Sequence, residues 1–276
     1  KTAYEIPKRD WSSDVCSSDL LWSGKLGFTP SLTGIRLQAR LFWDILRVGL
    51  IASFSAFTAN LTAMVVTGLV GRFGVTALAG YGIGVRMEFM VVPLAFGIGS
   101  ALTTLVGVAA GAGDWRRAVH VAWVGSLISG FMIGTLGWIV ALLPEAWARL
   151  FTGEAQVIAP TVSYITHVAP FYFVFGIGMT LSFASQGAGR MKAPFFAGIT
   201  RLAVATGGGW FAITQLQWGL DGVFIAIAAG MITFGAIIAL PLLIKPWGPK
   251  GASGAARAAG NAETPLDDRG LKPQSR

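Results

Sequence analysis

The sequence is short of charge. Asp, Glu, Lys and Arg make up 12% of its 276 residues, about half the ~25% of an ordinary soluble domain. With 54% hydrophobic residues, including 18 Phe and 10 Trp, too few polar groups remain to cover a water-facing surface. That argues against a soluble globular enzyme, and the same apolar content excludes disorder for most of the chain. There is one cysteine, so no intrachain disulfide can form. There is no P-loop, no GxGxxG opening a helix after a strand and no metal-ligand cluster. What is plentiful is long apolar runs, the composition of an all-α, polytopic membrane protein. The net charge of +8 then marks a cytoplasmic side rather than a nucleic-acid partner.

Residues 1–20, KTAYEIPKRDWSSDVCSSDL, hold four acids and three bases and no apolar h-region, so they are not a signal peptide. They resemble the conceptual translation of a sequencing-library adapter, two constant stretches around a short index. On that expectation Cys16 carries no biology and the native chain starts near Leu21, with upstream sequence missing. Removing residues 1–20 moves the net charge from +8 to +9. Residues 21–44 are expected to form a cytoplasmic linker and amphipathic lead-in. The amphipathic pattern runs over Ser31–Arg47, where Leu37, Leu41 and Ile45 oppose Arg36, Arg40 and Arg47. Residues 247–276, rich in Gly, Ala and Pro, read as a disordered cytoplasmic tail.

Between them, residues 45–246 carry six hydrophobic runs: 45–70, 75–110, 117–143, 157–186, 194–214 and 220–244. A bilayer core of about 30 Å needs about 20 apolar helical residues, and these runs lack the period-two alternation of spanning strands. Helix punctuation separates them. Gly111-Ala112-Gly113-Asp114 ends the second, with Asp114 placed to cap the third; Pro144 ends the third, and Pro194 opens the fifth. Lys25, Arg36, Arg40, Arg47, Arg116, Arg117, Arg190, Lys192 and Lys245 fall on one side, against Arg72 and Arg149 on the other. The excess predicts both ends of the chain in the cytoplasm.

Charge inside a membrane costs several kcal/mol, about 2.5–3.5 even on the lenient insertion scale. The few ionisable residues within spans are therefore the informative ones. Arg86 and Glu88 are two positions apart, about 200° around a helix, and cannot face each other. Glu88 either faces a wet cavity as a proton, cation or substrate site, or steadies packing near the interface. Tyr81 shares its stripe, and Thr103 lies close to that stripe. Asn60, near the middle of the first span, lines a pathway or bonds to a neighbouring helix. In the fourth span Tyr164, His167, Phe171, Phe175 and Gly178 follow one stripe. Such a stripe suits a cleft for flat hydrophobic cations, and suits ordinary packing equally. Arg201 is expected to snorkel to the cytoplasmic interface. The pairs Gly80/Gly84, Gly107/Gly111 and Gly130/Gly134 have the spacing of close helix packing. An intramembrane serine protease is argued against: Gly97-Ile98-Gly99-Ser100 has the wrong order for a nucleophile turn.

Several motifs resemble one family. Tyr81-Gly82-Ile83-Gly84-Val85-Arg86-Met87-Glu88 resembles the YGIGxRxE signature in the second half of MATE (multidrug and toxic compound extrusion) exporters. Gly97 to Gly107 resembles that family's GxGxAxxTLVG helix. Gly111-Ala112-Gly113 with Arg116-Arg117-Ala118 resembles its GAGxxxRA loop. Arg149-Leu150-Phe151-Thr152 resembles its outer RLFT turn. Gly187-Ala188-Gly189 before Pro194 resembles its RGAGxxxxP loop, with Gln186 in place of arginine. The resemblance implies the C-terminal six-helix lobe of a twelve-helix transporter in a bacterial inner (plasma) membrane. It implies efflux of small organic cations or amphiphiles by alternating access, with H⁺ or Na⁺ as coupling ion, no cofactor or metal, and partners limited to the lipid bilayer, the substrate and a missing N-terminal lobe. The NorM branch carries acids in the first and fourth helices of this lobe, where Ala59 or Asn60 and Phe175 stand here. The chain therefore resembles the DinF-like branch, whose key aspartate lies in the other lobe, which leaves Glu88 as the best acid present. Two alternatives stay open: a related flippase for lipid-linked precursors, and an inert or half-size membrane fragment.

Overall fold

The computed structural model describes residues 39–244 and 246–248. The expectations for residues 1–20, for the lead-in up to residue 38, for Lys245 and for the tail from residue 249 lie outside the described residues. The chain divides into two units, Lys1–Arg47 and Val48–Arg276. Of the first, only the helix from Ala39 onward is described. The second holds the packed helices and the candidate site.

Every regular element among the described residues is helical. α1 is Ala39–Gly71, α2 Val75–Gly111, α3 Trp115–Leu142, α4 Pro144–Arg149 and α5 Ala155–Val168. A 3₁₀ turn, Ala169–Phe171, joins α5 to α6, Tyr172–Gly187; α7 is Lys192–Thr214 and α8 Gly219–Ile244. Five stretches are long and apolar enough to cross a membrane: Ser53–Gly71, Val75–Gly111, Trp115–Leu142, Ala155–Gly187 and Gly219–Ile244. α7 has 23 residues and hence the length. Its Arg201 and its Gly207-Gly208-Gly209 run dilute its hydropathy below that of the others.

The fourth span departs from the single helix expected. Pro170 has no N–H to give to a carbonyl one turn back, so the α-helix gives way to a 3₁₀ turn at Ala169–Phe171. Three residues at 3.0 per turn advance about 60° further than in an α-helix. The stripe running from Tyr164 through His167 to Phe175 is thereby broken. Tyr164, Phe175 and Gly178 are buried, while His167 and Phe171 are only half-buried.

Burial identifies the centre of the bundle. Ala155–Gly187 and α8 bury 56% and 50% of their apolar windows, against 28% for α1 and α2. The outer helices turn Met64, Phe89, Phe131 and Leu142 outward, as a lipid-facing surface requires. Small residues set the close approaches. A Cβ on Gly178 would lie 2.7 Å from the Gly235 Cα, and one on Gly134 would lie 2.8 Å from the Phe173 Cβ. Gly80, Gly84, Gly107, Gly130 and Gly134 all pack against a neighbouring helix, whereas Gly111 meets nothing within 4 Å. α1 packs on α7 through Phe54 and Phe195, whose rings are 5.0 Å apart, and through Thr58 against Gly198.

The loops sort by end as their charges require. The Arg190 guanidinium lies 5.3 Å from the Trp115 ring and donates to the Gly248 carbonyl, so both basic loops share one end. Asp114 caps α3 there, accepting from the Arg117 N–H at 3.0 Å. Gly113 supplies the left-handed φ of +78° that the turn before it needs. At the other end Arg72 covers the Trp210 ring at 4.7 Å.

Candidate functional site

α2 brings two of the sequence candidates, Tyr81 and Glu88, onto its inner face one heptad apart. α5 meets them with Tyr164. Its phenol is fully enclosed and donates to Glu88 Oε1 at 2.6 Å. The approach requires Gly84, because any Cβ there would run into the Tyr164 ring. Thr161, one turn earlier on α5, donates to the Gly80 carbonyl at 3.1 Å and fixes the register of the two helices.

Aromatic rings wall this contact. Tyr81 and Tyr164 meet edge-on at 5.5 Å, and Phe224 of α8 stands perpendicular to Tyr164 at 5.3 Å. Tyr81, Tyr164 and Tyr172 belong to one buried cluster. The Tyr172 hydroxyl is buried beside Tyr164 and meets no partner in good hydrogen-bond geometry. Among the described residues the one ion pair is Arg149–Glu145, at 3.3 Å on the surface. Glu88 is thus a half-buried carboxylate within a span, held by a phenol and by no cation at ion-pair distance.

Arg86 points the other way, as its spacing demanded, and lies over the Phe151 ring at 4.9 Å. Arg201 overturns its expectation. It does not snorkel to the interface; its guanidinium sits over Phe175 at 4.8 Å and near Phe234 at 5.8 Å, inside the bundle. The reason is depth: Arg201 is nine residues into α7, about 14 Å of helix from Lys192, beyond the reach of its side chain to the rim. Tyr81, Tyr164 and Phe175 belong to one buried cluster, which Glu88 joins through Tyr164 and Arg201 through Phe175.

The other candidates lie elsewhere. Thr103 is 15 residues beyond Glu88 on α2, about 22 Å away, and donates across to the Phe183 carbonyl at 3.1 Å. Asn60 is exposed on α1 and donates to the Ala56 carbonyl of its own helix at 2.9 Å. His167 lines a surface pocket with Ser163 and Asp221, and Phe171 occupies the 3₁₀ turn. The sequence reading missed Phe224, Phe234 and Asp221. For Arg201 the signal was available, since its distance from Lys192 can be counted.

The MatE family profile matches residues 52–209, more than half of the chain. This chain belongs to the MatE family. The MatE chain is 29% identical over 207 residues to a protein of Thermotoga maritima described as "Probable multidrug resistance protein NorM", covering 74% of this chain and 44% of that one. Among solved structures it resembles a MATE protein in the straight conformation, with TM-score 0.73, 20% identity, and coverage of 82% of this chain and 52% of that one. The Vibrio cholerae MATE transporter VcmN in the bent form gives TM-score 0.67 at 16% identity, covering 80% and 51%. The MatE chain thus spans about half the length of the relatives it matches. It is a multi-pass membrane protein with the MATE transporter fold.

Proposed function

We propose that this chain is one six-helix lobe, the C-terminal one, of a secondary multidrug exporter. In this reading H⁺ or Na⁺ entry drives organic cations or amphiphiles out by rocking of two lobes about a central cleft. The observation that carries it is Glu88. An intramembrane carboxylate costs several kcal/mol if charged and isolated, so its retention points to a proton or cation taken up and released there. Tyr164 holds it in place for that exchange. The half-length match to relatives described as multidrug resistance proteins supports the lobe assignment.

Finer readings rest on the same basis. Ala59 or Asn60, and Phe175, stand where the NorM branch carries acids, which supports a DinF-like lobe whose main coupling acid lies in the other half, although the relatives matched bear the NorM name. The basic end formed by Arg116, Arg117 and Arg190 supports a cytoplasmic placement of both termini in a bacterial inner membrane. A flippase would need a cationic cleft for pyrophosphate. One guanidinium, Arg201, is inside the bundle, and the Phe175 face already covers it.

The test is transport of a fluorescent lipophilic cation by the two-lobe protein in proteoliposomes under an imposed H⁺ or Na⁺ gradient. Glu88→Gln is expected to slow gradient-driven export markedly while leaving the protein folded. Unchanged export in that variant refutes a coupling role for Glu88. Efflux conferred on cells by this chain alone overturns the half-transporter reading.

A further inference from the structure

Tyr172 opens α6, directly after the 3₁₀ turn that breaks the fourth span. It is completely buried in the same cluster as Tyr164, yet its hydroxyl has no hydrogen-bond partner. Among the described residues one other buried side-chain polar atom shares that condition, the Ser126 hydroxyl of α3. Leaving a buried hydroxyl unpaired costs stability, and a phenylalanine would fill the same space without that cost. The orphaned phenol stands next to the one phenol that holds the Glu88 carboxylate.

Tyr172 is not free to swing toward a partner. α3 closes on it at Gly137, where a Cβ would lie 2.5 Å from the Ala169 carbonyl oxygen and 3.1 Å from the Tyr172 Cβ. The Tyr172 N–H is itself tied to the Ala169 carbonyl. Tyr164 keeps one soft torsion, because its O–H can turn about the Cζ–O bond while the ring stays in place. It now donates to Glu88 Oε1 at 2.6 Å. A carboxylate holds that donor strongly, since a charge-assisted hydrogen bond is about twice as strong as a neutral one. Neutralising Glu88 removes the advantage and leaves the Tyr172 oxygen as a competing acceptor.

The other ionisable groups around Glu88 are engaged elsewhere. Arg86 lies over Phe151, and Arg201 of α7 lies over Phe175 and Phe234. Tyr81 meets Tyr164 through its ring edge. On α5, His167 contacts the Ser163 carbonyl, and Asp221 of α8 accepts from the Ser163 hydroxyl. Glu145 of α4 pairs with Arg149. Arg116, Arg117 and His120 of α3 are exposed at the basic end.

We propose that the Tyr164 hydroxyl is a two-position switch, donating to Glu88 while Glu88 is charged and to Tyr172 once Glu88 is protonated. The proposal rests on the reading of Glu88 as a carboxylate that exchanges a proton. That proton comes from water and stays on the carboxyl, and neither phenol gains or loses one. The hydrogen bond from Tyr164 to Oε1 breaks, and one from Tyr164 to the Tyr172 oxygen forms. Tyr164 belongs to α5 and Tyr172 to α6, so protonation ties together the two halves of the broken span. Tyr172 is thus a positioning residue that carries the state of Glu88 to the 3₁₀ turn.

The experiment is magic-angle-spinning NMR of the purified 276-residue chain in lipid nanodiscs, with carbon-13 at the tyrosine Cζ, whose shift reports the hydrogen bonding of the phenol. The sequence holds four tyrosines, Tyr4, Tyr81, Tyr164 and Tyr172. Single Tyr→Phe variants assign the lines, and elimination assigns any whose variant does not fold. Lowering the pH from about 9 to about 4 keeps phenols protonated, their ordinary value being about 10. It should shift the Tyr164 and Tyr172 lines together with one midpoint. In Glu88→Gln, whose side chain is neutral at every pH, both lines should stay flat near the acid positions of the parent. A Tyr164 line that titrates beside a flat Tyr172 line overturns the switch and leaves the Glu88 reading standing. Different midpoints for the two lines, or titration that persists in Glu88→Gln, also overturn it. Two flat lines in the parent mean that Glu88 takes up no proton, and the Glu88 reading then falls together with the switch.

Discussion

Tyr164 on α5 donates a 2.6 Å hydrogen bond to Glu88 on α2, 76 residues away in sequence. The two side chains meet because Gly84 leaves room for the phenol ring and because Thr161 locks α5 against the Gly80 carbonyl. A carboxylate that would otherwise be stranded within a span has a fixed donor, and the aromatic walls around it come from three different helices.

Removing the donor should cost more stability than neutralising the acceptor. Tyr164→Phe leaves the carboxylate without its buried partner and is expected to destabilise the fold by about 1.5–3 kcal/mol. Glu88→Gln keeps an oxygen acceptor and should cost about 1 kcal/mol or less. Unfolding of both variants in mixed detergent micelles gives the comparison. A Tyr164→Phe protein as stable as the parent shows that the hydrogen bond contributes nothing net.

Glycine substitutions should divide by what surrounds them. Gly84→Ala drives a methyl group into the Tyr164 ring and should cost about 1–3 kcal/mol. Gly97→Ala, in the same helix with nothing within 4 Å, should be neutral or stabilise by up to about 1 kcal/mol through helix propensity. The same unfolding assay separates them, and equal effects at the two positions contradict the packing described.

Arg201 should be coupled energetically to Phe175. A double-mutant cycle with Arg201→Ala and Phe175→Leu is expected to give a coupling of about 0.5–2 kcal/mol, the range for a cation over an aromatic face. Arg201→Lys should recover only part of it, because an ammonium has no planar face to stack. Additive single-mutant effects would show that the guanidinium does not rest on that ring.

The turn before α3 offers a local check. Asp114→Ala removes the acceptor for the Arg117 N–H and should cost about 1 kcal/mol, with Asp114→Asn close to neutral. Hydrogen exchange at the first turn of α3 should rise in the alanine variant alone. No change there argues against the cap.

Topology can be read with single cysteines in a Cys16→Ser background. Arg117→Cys and Arg149→Cys should be labelled from opposite faces of sealed vesicles by an impermeant thiol reagent, with Arg117→Cys on the cytoplasmic side. Labelling of both from one face excludes the arrangement of alternating spans.

The sequence alone determined that this is an α-helical membrane protein, where five of its apolar spans lie and which loops share an end. These properties follow from local composition: apolar runs of bilayer length, glycine and proline at the breaks, and arginines clustered in alternate connections. It also determined that Arg86 and Glu88 diverge, since that depends only on helix period, and that the spaced glycines other than Gly111 mark helix contacts. Tertiary structure alone decided who meets whom. Helix periodicity places Glu88 on a face of α2 but cannot say that the face is Tyr164's neighbour. The 3₁₀ turn at Ala169–Phe171 then moves His167 off the stripe it would share with Phe175 in an unbroken helix. Arg201 shows the same divide. Its distance from the helix end was written in the chain, but the phenyl faces that make its half-buried position tolerable come from α6 and α8, which only folding brings to it.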